Sequence, residues 1–468
     1  MRIIHFGVNG WRARFDDGFD AEGVCRVADA LASRWAKTDA SAQFLVGYDL
    51  RLRSREYART AATVLAAHGL RASLSSSACP ISALSWSVAQ SRDCAGAVMI
   101  TGSDNPAEYG GLLVRGADGG TVSEEFASDV ERAIPSESPI LGQEAIKETE
   151  LTSEYLHALA RRFALDAKPF GGTRVVVDPM FGPTQGLLCG LLRQGGCEVL
   201  EIHGEHGEGF GGLHPKTTEP WVDECERQVR ESSADLGIVL DGDGARAGFI
   251  DHEGQLISSA SCICLITEHL ARAHGMSGRV VATLASSARI HRQAERLGLD
   301  YMGVPVGFRR LHDEVLGGDV LVACEEYGGC CIPDWLFERD ALLEALYMVE
   351  LLSSGKVPLR DRVAELESHV GKMYYARRDV RLDAARIQTF RNLLPGLNPQ
   401  IIAGERPCAT SHADGMRLQF PDDSWLMVRP SRTQSLVRAY AESGSSKKQN
   451  LLLDAACSFA RGEGGSWE

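Results

Sequence analysis

Short apolar runs recur along the chain, each followed by a stretch whose apolar positions repeat at helical spacing. That alternation predicts strand, helix, strand in repeated order, the pattern of α/β domains. The run 43–48 predicts a buried strand and 55–68 the helix after it. A second strand, 95–101, ends in a polar loop, and residues 1–7 also read as strand-like. The Pro- and Ser-rich stretch 135–139 reads as the close of a first unit. A second unit opens with a helix near Thr152 and carries strands over 173–178, 197–202 and 236–240. A third opens with a helix near Ser259, with strands over 279–283 and 320–323. The last hundred or so residues differ: a hairpin over 416–420 and 425–428 turns at Asp422-Asp423. The fold class expected is therefore α/β, three successive mixed α/β domains plus a smaller C-terminal α+β domain. The expected limits are 1–147, 148–258, 259–367 and 368–468.

Composition narrows the function classes. Hydrophobic residues make up 44% and charged residues 24%, which excludes a mainly disordered chain. The net charge of −14 argues against a nucleic-acid binder relying on overall positive charge, while leaving room for a local basic pocket for a small anion. No apolar run is long enough to span a bilayer, and the N-terminus lacks the apolar stretch of a signal peptide. Thirteen scattered cysteines read as reduced, mostly buried thiols of a cytoplasmic protein. Neither Cys262-Ile263-Cys264 nor Cys330-Cys331 has the spacing of a zinc site.

Four loops carry candidate chemistry. Thr101-Gly102-Ser103-Asp104-Asn105-Pro106 places a serine just past a buried strand, where crevices form in open parallel sheets. Asp241-Gly242-Asp243-Gly244-Ala245-Arg246 sets two carboxylates one residue apart among glycines, a spacing that suits a hard cation such as Mg²⁺. It does not fit a Ca²⁺ EF-hand, whose fifth and twelfth positions hold Ala245 and His252 here. Glu325-Glu326-Tyr327-Gly328-Gly329 offers acceptors for sugar hydroxyls. Arg429-Pro430-Ser431-Arg432-Thr433-Gln434 offers guanidinium forks and hydroxyls for a phosphate. Each loop taken alone also reads as a polar turn.

The order of these loops resembles the α-D-phosphohexomutase family, which includes phosphoglucomutases and phosphomannomutases. The resemblance covers essentially the whole chain. Phe6-Gly7-Val8-Asn9-Gly10-Trp11-Arg12 is similar to the family's F-G-T-x-G-x-R, and Gly47-Tyr48-Asp49-Leu50-Arg51 to its G-Y-D-x-R. Segments 175–182 and 304–309 are similar to its V-V-V-D-x-x-x-G and T-x-V-G-x-K/R. The resemblance implies phosphohexomutase-type domains around a central cleft, an isomerase acting through a phosphoserine and a hexose bisphosphate, Mg²⁺ as cofactor, and a monomer or homodimer. Its partner would be a small phosphosugar, with no nucleic acid and no membrane. By the same resemblance Ser103 is the nucleophile and a metal ligand, with Asp241 and Asp243 completing the metal set. Arg12, Arg246 and Asp104 belong to the catalytic group. Glu325, Tyr327, Arg309, Arg429, Ser431, Arg432 and Thr433 bind substrate.

The chain departs from the family at the chemistry. The histidine of the serine loop is Asp104, the third metal aspartate is Ala245, and a downstream lysine assigned acid–base work is Leu113. Tyr327 replaces the serine of the sugar loop, and Arg432, Gln434 and Ser435 replace glycine, glutamate and proline of the phosphate loop. Asp104 either supplies a replacement metal ligand or repels a phosphoserine. Two further readings stay open: a diverged phosphosugar enzyme performing hydrolysis or elimination, and a non-catalytic phosphosugar-binding relative.

Overall fold

The structure is a computed structural model that describes residues 3–38, 41–139, 144–205, 207–431 and 436–463. Strand Gln43–Tyr48 shows why the first sheet forms. Phe44, Val46 and Tyr48 point into one apolar cluster with the helices Ala21–Ala36 and Ser54–Ala67. Leu45 points the other way, into a cluster with helix Ile81–Gln90. A strand apolar on both faces requires cover on both faces, and the helices supply it. Its neighbours are the parallel strands Arg71–Ser75 and Cys94–Ile100. Tyr109–Gly116 and then Trp11–Arg14 add antiparallel at one edge, and Lys147–Thr149 adds parallel at the other. The first sheet thus reaches past the Pro- and Ser-rich stretch.

The second sheet runs Leu256–Ile257, Ala247–Asp251, Leu236–Leu240, Arg174–Asp178, Glu198–Glu201. The third runs Tyr301–Val304, Arg279–Thr283, Val320–Cys324, Cys330–Cys331. Both have a parallel centre, so the loops after Leu240 and Cys324 leave from the carboxyl ends of central strands, as the loop after Ile100 does. The fourth sheet is wholly antiparallel: Tyr374–Arg381, Leu436–Ser443, Trp425–Pro430, Met416–Gln419, Ala409–Ser411. Helices Ala384–Leu393 and Ser446–Arg461 contribute to its core. Three mixed α/β domains and a C-terminal antiparallel-sheet domain are what the alternation predicted.

The strand expected at the N-terminus does not form among the described residues. Residues 3–10 make an isolated bridge between Gly7 and Gly10, and the first strand is Trp11–Arg14. All thirteen cysteines are free thiols, and Cys408 alone is exposed. Among the described residues no helix is long and apolar enough to cross a membrane.

Candidate active site

The serine loop is held by one arginine. Arg51 Nη1 donates to the carbonyls of Pro106 (2.6 Å) and Tyr109 (3.0 Å), and Nη2 to those of Ser103 (2.6 Å) and Asn105 (2.7 Å). Its Nε meets Asp49 Oδ2 at 3.1 Å, and both side chains are fully enclosed. A Cβ on Gly102 would lie 2.7 Å from the Arg51 guanidinium, so a larger residue there would push the clamp away. Ser103 adopts a left-handed φ of 53°, with its N–H on Thr101 Oγ1 at 2.8 Å. That conformation is uncommon for a non-glycine residue and recurs at functional loops.

The acidic loop packs on this one backbone to backbone. A Cβ on Gly242 would fall 2.5 Å from the Ser103 carbonyl oxygen, which only glycine allows. Asp241 is buried and accepts from the N–H groups of Ala245 (2.8 Å) and Arg246 (3.1 Å). Asp243 is also buried, and its Oδ1 has no hydrogen-bond partner. Burial and then the charge of Asp243 push the Asp241 carboxyl up.

Arg246 joins three of the loops. Its Nη1 lies 2.9 Å from Asp241 Oδ2, 3.4 Å from Ser103 Oγ and 3.7 Å from Asp104 Oδ1. Its Nη2 lies 3.8 Å from Glu325 Oε2. Glu325 also accepts from Arg339 Nη1 at 2.7 Å, and Arg339 Nε bonds Glu338 at 2.9 Å. Burial opposes the Asp104 charge, but Arg246, Arg12, Lys216 and Arg339 outweigh it and hold the carboxyl well below its usual range. Arg12, on the edge strand beside Gly111, belongs to the same field with Asp104 and Asp243. Arg12 is exposed to solvent.

Among the described residues, Asp104, Asp241 and Asp243 do not bring three ligand oxygens within 4.8 Å of one another. Arg246 Nη1 instead lies 3.7 Å from Asp104 Oδ1. Nor does Ala245 leave a vacant hole: it is buried in one apolar cluster with Leu113, Cys79, Ile81 and Met99. Two of the polar residues of the family pattern, the lysine and the third aspartate, are thus replaced inside one dry contact between the first and second domains.

Two cations lie close to the Tyr327 ring. Arg377 lies over the ring at 4.8 Å and Lys216 Nζ at 5.4 Å. Arg377 is paired with Asp379 at 2.8 Å, whereas the Lys216 ammonium has no hydrogen bond or ion pair among the described residues. Burial and then Arg377 lower the Lys216 pKa, with Asp104 and Asp379 opposing. The loop bearing it is pinned by His214 Nε2 on the Asp104 carbonyl (2.7 Å) and by Gly242 N–H on the Pro215 carbonyl (3.2 Å).

Arg309 is not brought to this group. It bonds the Thr121 carbonyl (2.7 Å), His312 Nδ1 (3.0 Å) and Asp313, bracing the third domain on the first. In the fourth domain Arg429 Nε donates to Asp414 at 2.8 Å, and Asp414 also accepts from Val306 N–H at 2.8 Å. Ser431 is buried, its N–H on the Leu436 carbonyl. Arg432, Thr433, Gln434 and Ser435 lie outside the described residues. Sequence reasoning assigned no role to Arg51, His214, Lys216, Arg339 or Arg377. Arg51 stood inside a quoted motif; the others carry no local signal, since His214 and Lys216 sit in an aperiodic Gly-rich loop.

Three sequence families match in order: phosphoglucomutase/phosphomannomutase alpha/beta/alpha domain I over residues 4–140, domain II over 153–254 and domain III over 258–369. The chain belongs to the α-D-phosphohexomutase family. It is 27% identical over 389 residues to a phosphoglucomutase/phosphomannomutase of Thermococcus kodakarensis, covering 80% of each chain. It is 25% identical over 474 residues to a phosphoglucosamine/phosphogalactosamine mutase of Sulfurisphaera tokodaii, covering 98% of this chain and 99% of the relative. Among solved structures, a putative phosphomannomutase from Thermus thermophilus superposes with a TM-score of 0.87 at 26% identity, covering 98% and 99%. An Aspergillus fumigatus N-acetylphosphoglucosamine mutase, in complex with GlcNAc-6P and magnesium, shares the fold at 14% identity and a TM-score of 0.63, covering 99% and 96%.

Proposed function

We propose that this protein is a hexose-phosphate mutase that transfers a phosphoryl group between Ser103 Oγ and a sugar hydroxyl through a hexose bisphosphate. The observation that carries the reading is Arg246, whose one guanidinium lies within 3.4 Å of Ser103 Oγ while pairing with Asp241 at 2.9 Å. A fixed cation at the serine oxygen stabilises the charge that develops as phosphorus moves.

The acidic loop fits Mg²⁺. Asp243 Oδ1 is a buried oxygen without a partner, and the neighbouring Asp241 carboxyl is pushed up by burial and by Asp243. A cation held by Asp241, Asp243 and Ser103 would relieve both, and water completes the shell that Mg²⁺ prefers. When bound it supplies charge neutralisation at the phosphoryl oxygens.

The chain's own residues do the rest. The sugar hydroxyl attacks phosphorus, the Oγ–P bond breaks, and the hydroxyl proton must leave. Leu113 cannot take it, and arginines stay protonated at any working pH. Lys216, unpaired and with a lowered pKa, is the base this reading assigns. The proton Lys216 takes from the sugar hydroxyl passes to Ser103 Oγ as the Oγ–P bond breaks, and the other phosphate returns to Oγ after the bound bisphosphate turns over. Glu325 would accept from sugar hydroxyls, and Tyr327 would offer an aromatic face. Arg429 and Ser431, with Arg432 and Thr433, would hold the phosphate that does not react.

Intact-mass analysis tests the reading. Incubation with glucose 1,6-bisphosphate and Mg²⁺ should add one phosphoryl group, mapping to Ser103, and Ser103→Ala should add none. An unmodified parent protein would overturn it.

A further inference from the structure

The second metal-capable cluster lies outside the cleft and shares no residue with the four loops. His269 is in the last turn of helix Ser259–Arg272, and His274 follows just past its end. Glu350 faces them from helix Ala341–Gly355. Both imidazole Nε2 atoms lie 2.8 Å from the same oxygen, Glu350 Oε2, and the three ligand atoms lie within 4.8 Å of one another.

We infer that His269, His274 and Glu350 form a binding site for a first-row transition metal of the Zn²⁺ type, clasping the two helices of the third domain. Tetrahedral Zn²⁺ with bonds of about 2.0–2.1 Å needs ligand atoms about 3.3 Å apart. Widening each nitrogen–oxygen separation by about half an ångström therefore admits the ion. Two imidazoles and one carboxylate are a Zn²⁺ ligand set, whereas Mg²⁺ takes oxygen ligands and keeps its water. The site is half open. His269 is buried, while His274 and Glu350 keep 33% and 27% of their side-chain surface, which gives the ion an entry path and a fourth position for water. The Tyr347 ring stands edge-on to both imidazoles, at 6.3 and 5.4 Å, and its hydroxyl accepts from Arg162 Nη2 at 2.8 Å. Packing of this kind fixes the ring planes of a ligand pair. Without metal, the two histidines share one carboxylate oxygen by hydrogen bonding, so the helices stay close and the ligands stay gathered.

The test uses full-length protein stripped with EDTA, dialysed, and carrying Cys408→Ser to remove the exposed thiol. Calorimetric titration with ZnCl₂ in excess MgCl₂ should show one equivalent bound with a Kd below about 10 µM, equivalent to about −7 kcal/mol. Co²⁺ should give the visible absorption of a four-coordinate ion, and Zn²⁺ should raise the thermal midpoint. His274→Ala changes a partly exposed residue, and Glu350→Gln keeps the shape of the acid. Each should weaken Zn²⁺ binding at least tenfold and cancel the thermal shift. A parent that binds no Zn²⁺, or variants that bind it as tightly as the parent, would overturn the site. None of these readouts depends on mutase activity.

Discussion

Arg51 Nη2 donates to the Ser103 carbonyl at 2.6 Å, so the backbone of the proposed nucleophile hangs from a buried guanidinium. The other three carbonyls on the same group fix the rest of the loop. Arg51→Met leaves Asp49 buried without its cation and four carbonyls without donors. We predict a loss of about 3–5 kcal/mol in stability, the usual cost of breaking a buried pair from one side. Arg51→Lys restores charge but not the fork and should recover less than half. Urea denaturation measures both, and an unchanged midpoint for Arg51→Met would refute the clamp.

Lys216→Met should lower kcat by about 10²–10⁴-fold, the span of general acid–base catalysis, with KM changed by less than about threefold. Lys216→Arg keeps the charge beside Tyr327 but cannot give up its proton, so it should be equally slow. Because the Lys216 pKa is lowered, kcat should rise with pH as the amine loses its proton and then level off. Full activity in Lys216→Arg would assign the residue to binding.

Arg429→Ala removes a guanidinium fork from the fourth domain. A charge-assisted contact of about 1.5–3 kcal/mol corresponds to roughly ten- to a hundredfold weaker binding of a hexose phosphate. The unphosphorylated hexose should bind as before. Calorimetry with both sugars separates a phosphate contact from general loosening.

Leu113→Lys and Ala245→Asp each place a charge in the apolar cluster they share. Each alone should cost on the order of 3 kcal/mol, because a buried unpaired charge has nothing to answer it. Together they should cost less than the sum by about 1–3 kcal/mol. The double variant should also bind Mg²⁺ more tightly. Strictly additive losses would mean that the two side chains do not meet.

Glu344 is fully buried, and burial pushes its carboxyl up to about 8. In the unfolded chain it ionises near 4.5. Below that value both states are protonated and nothing is lost. Between about 4.5 and 8 the unfolded chain sheds a proton that the folded one keeps, so stability falls as pH rises. Glu344→Gln removes this slope. Its urea midpoint should exceed the parent's at pH 9 and converge with it towards pH 5. A parallel pair of pH profiles would show that Glu344 is ionised in the fold.

The fold was readable because periodicity survives divergence. Leu236–Leu240 and Arg279–Thr283 run over the residues the apolar pattern gives. The N-terminal strand failed because apolar residues such as Ile3 and Ile4 have no neighbouring edge to pair with before Trp11. In the site, loops that follow strands announce Ser103, Asp241 and Asp243 by position. Lys216 and Arg377 are silent in sequence because they come together across domains: one rises from a loop, the other from the strand Tyr374–Arg381, and both reach the Tyr327 ring. Arg309 has the right residue type at the right spacing, yet its neighbours Thr121 and Asp313 engage it first.

The dry contact that contains Leu113 and Ala245 also changes how the first two domains respond to their surroundings. A lysine–aspartate pair in that seam would be held by charge, whereas the contact that stands there is held by the removal of apolar surface from water. Apolar association near room temperature is driven by entropy and strengthens on modest warming. The seam between the first two domains is therefore set to hold on modest warming and to loosen in the cold.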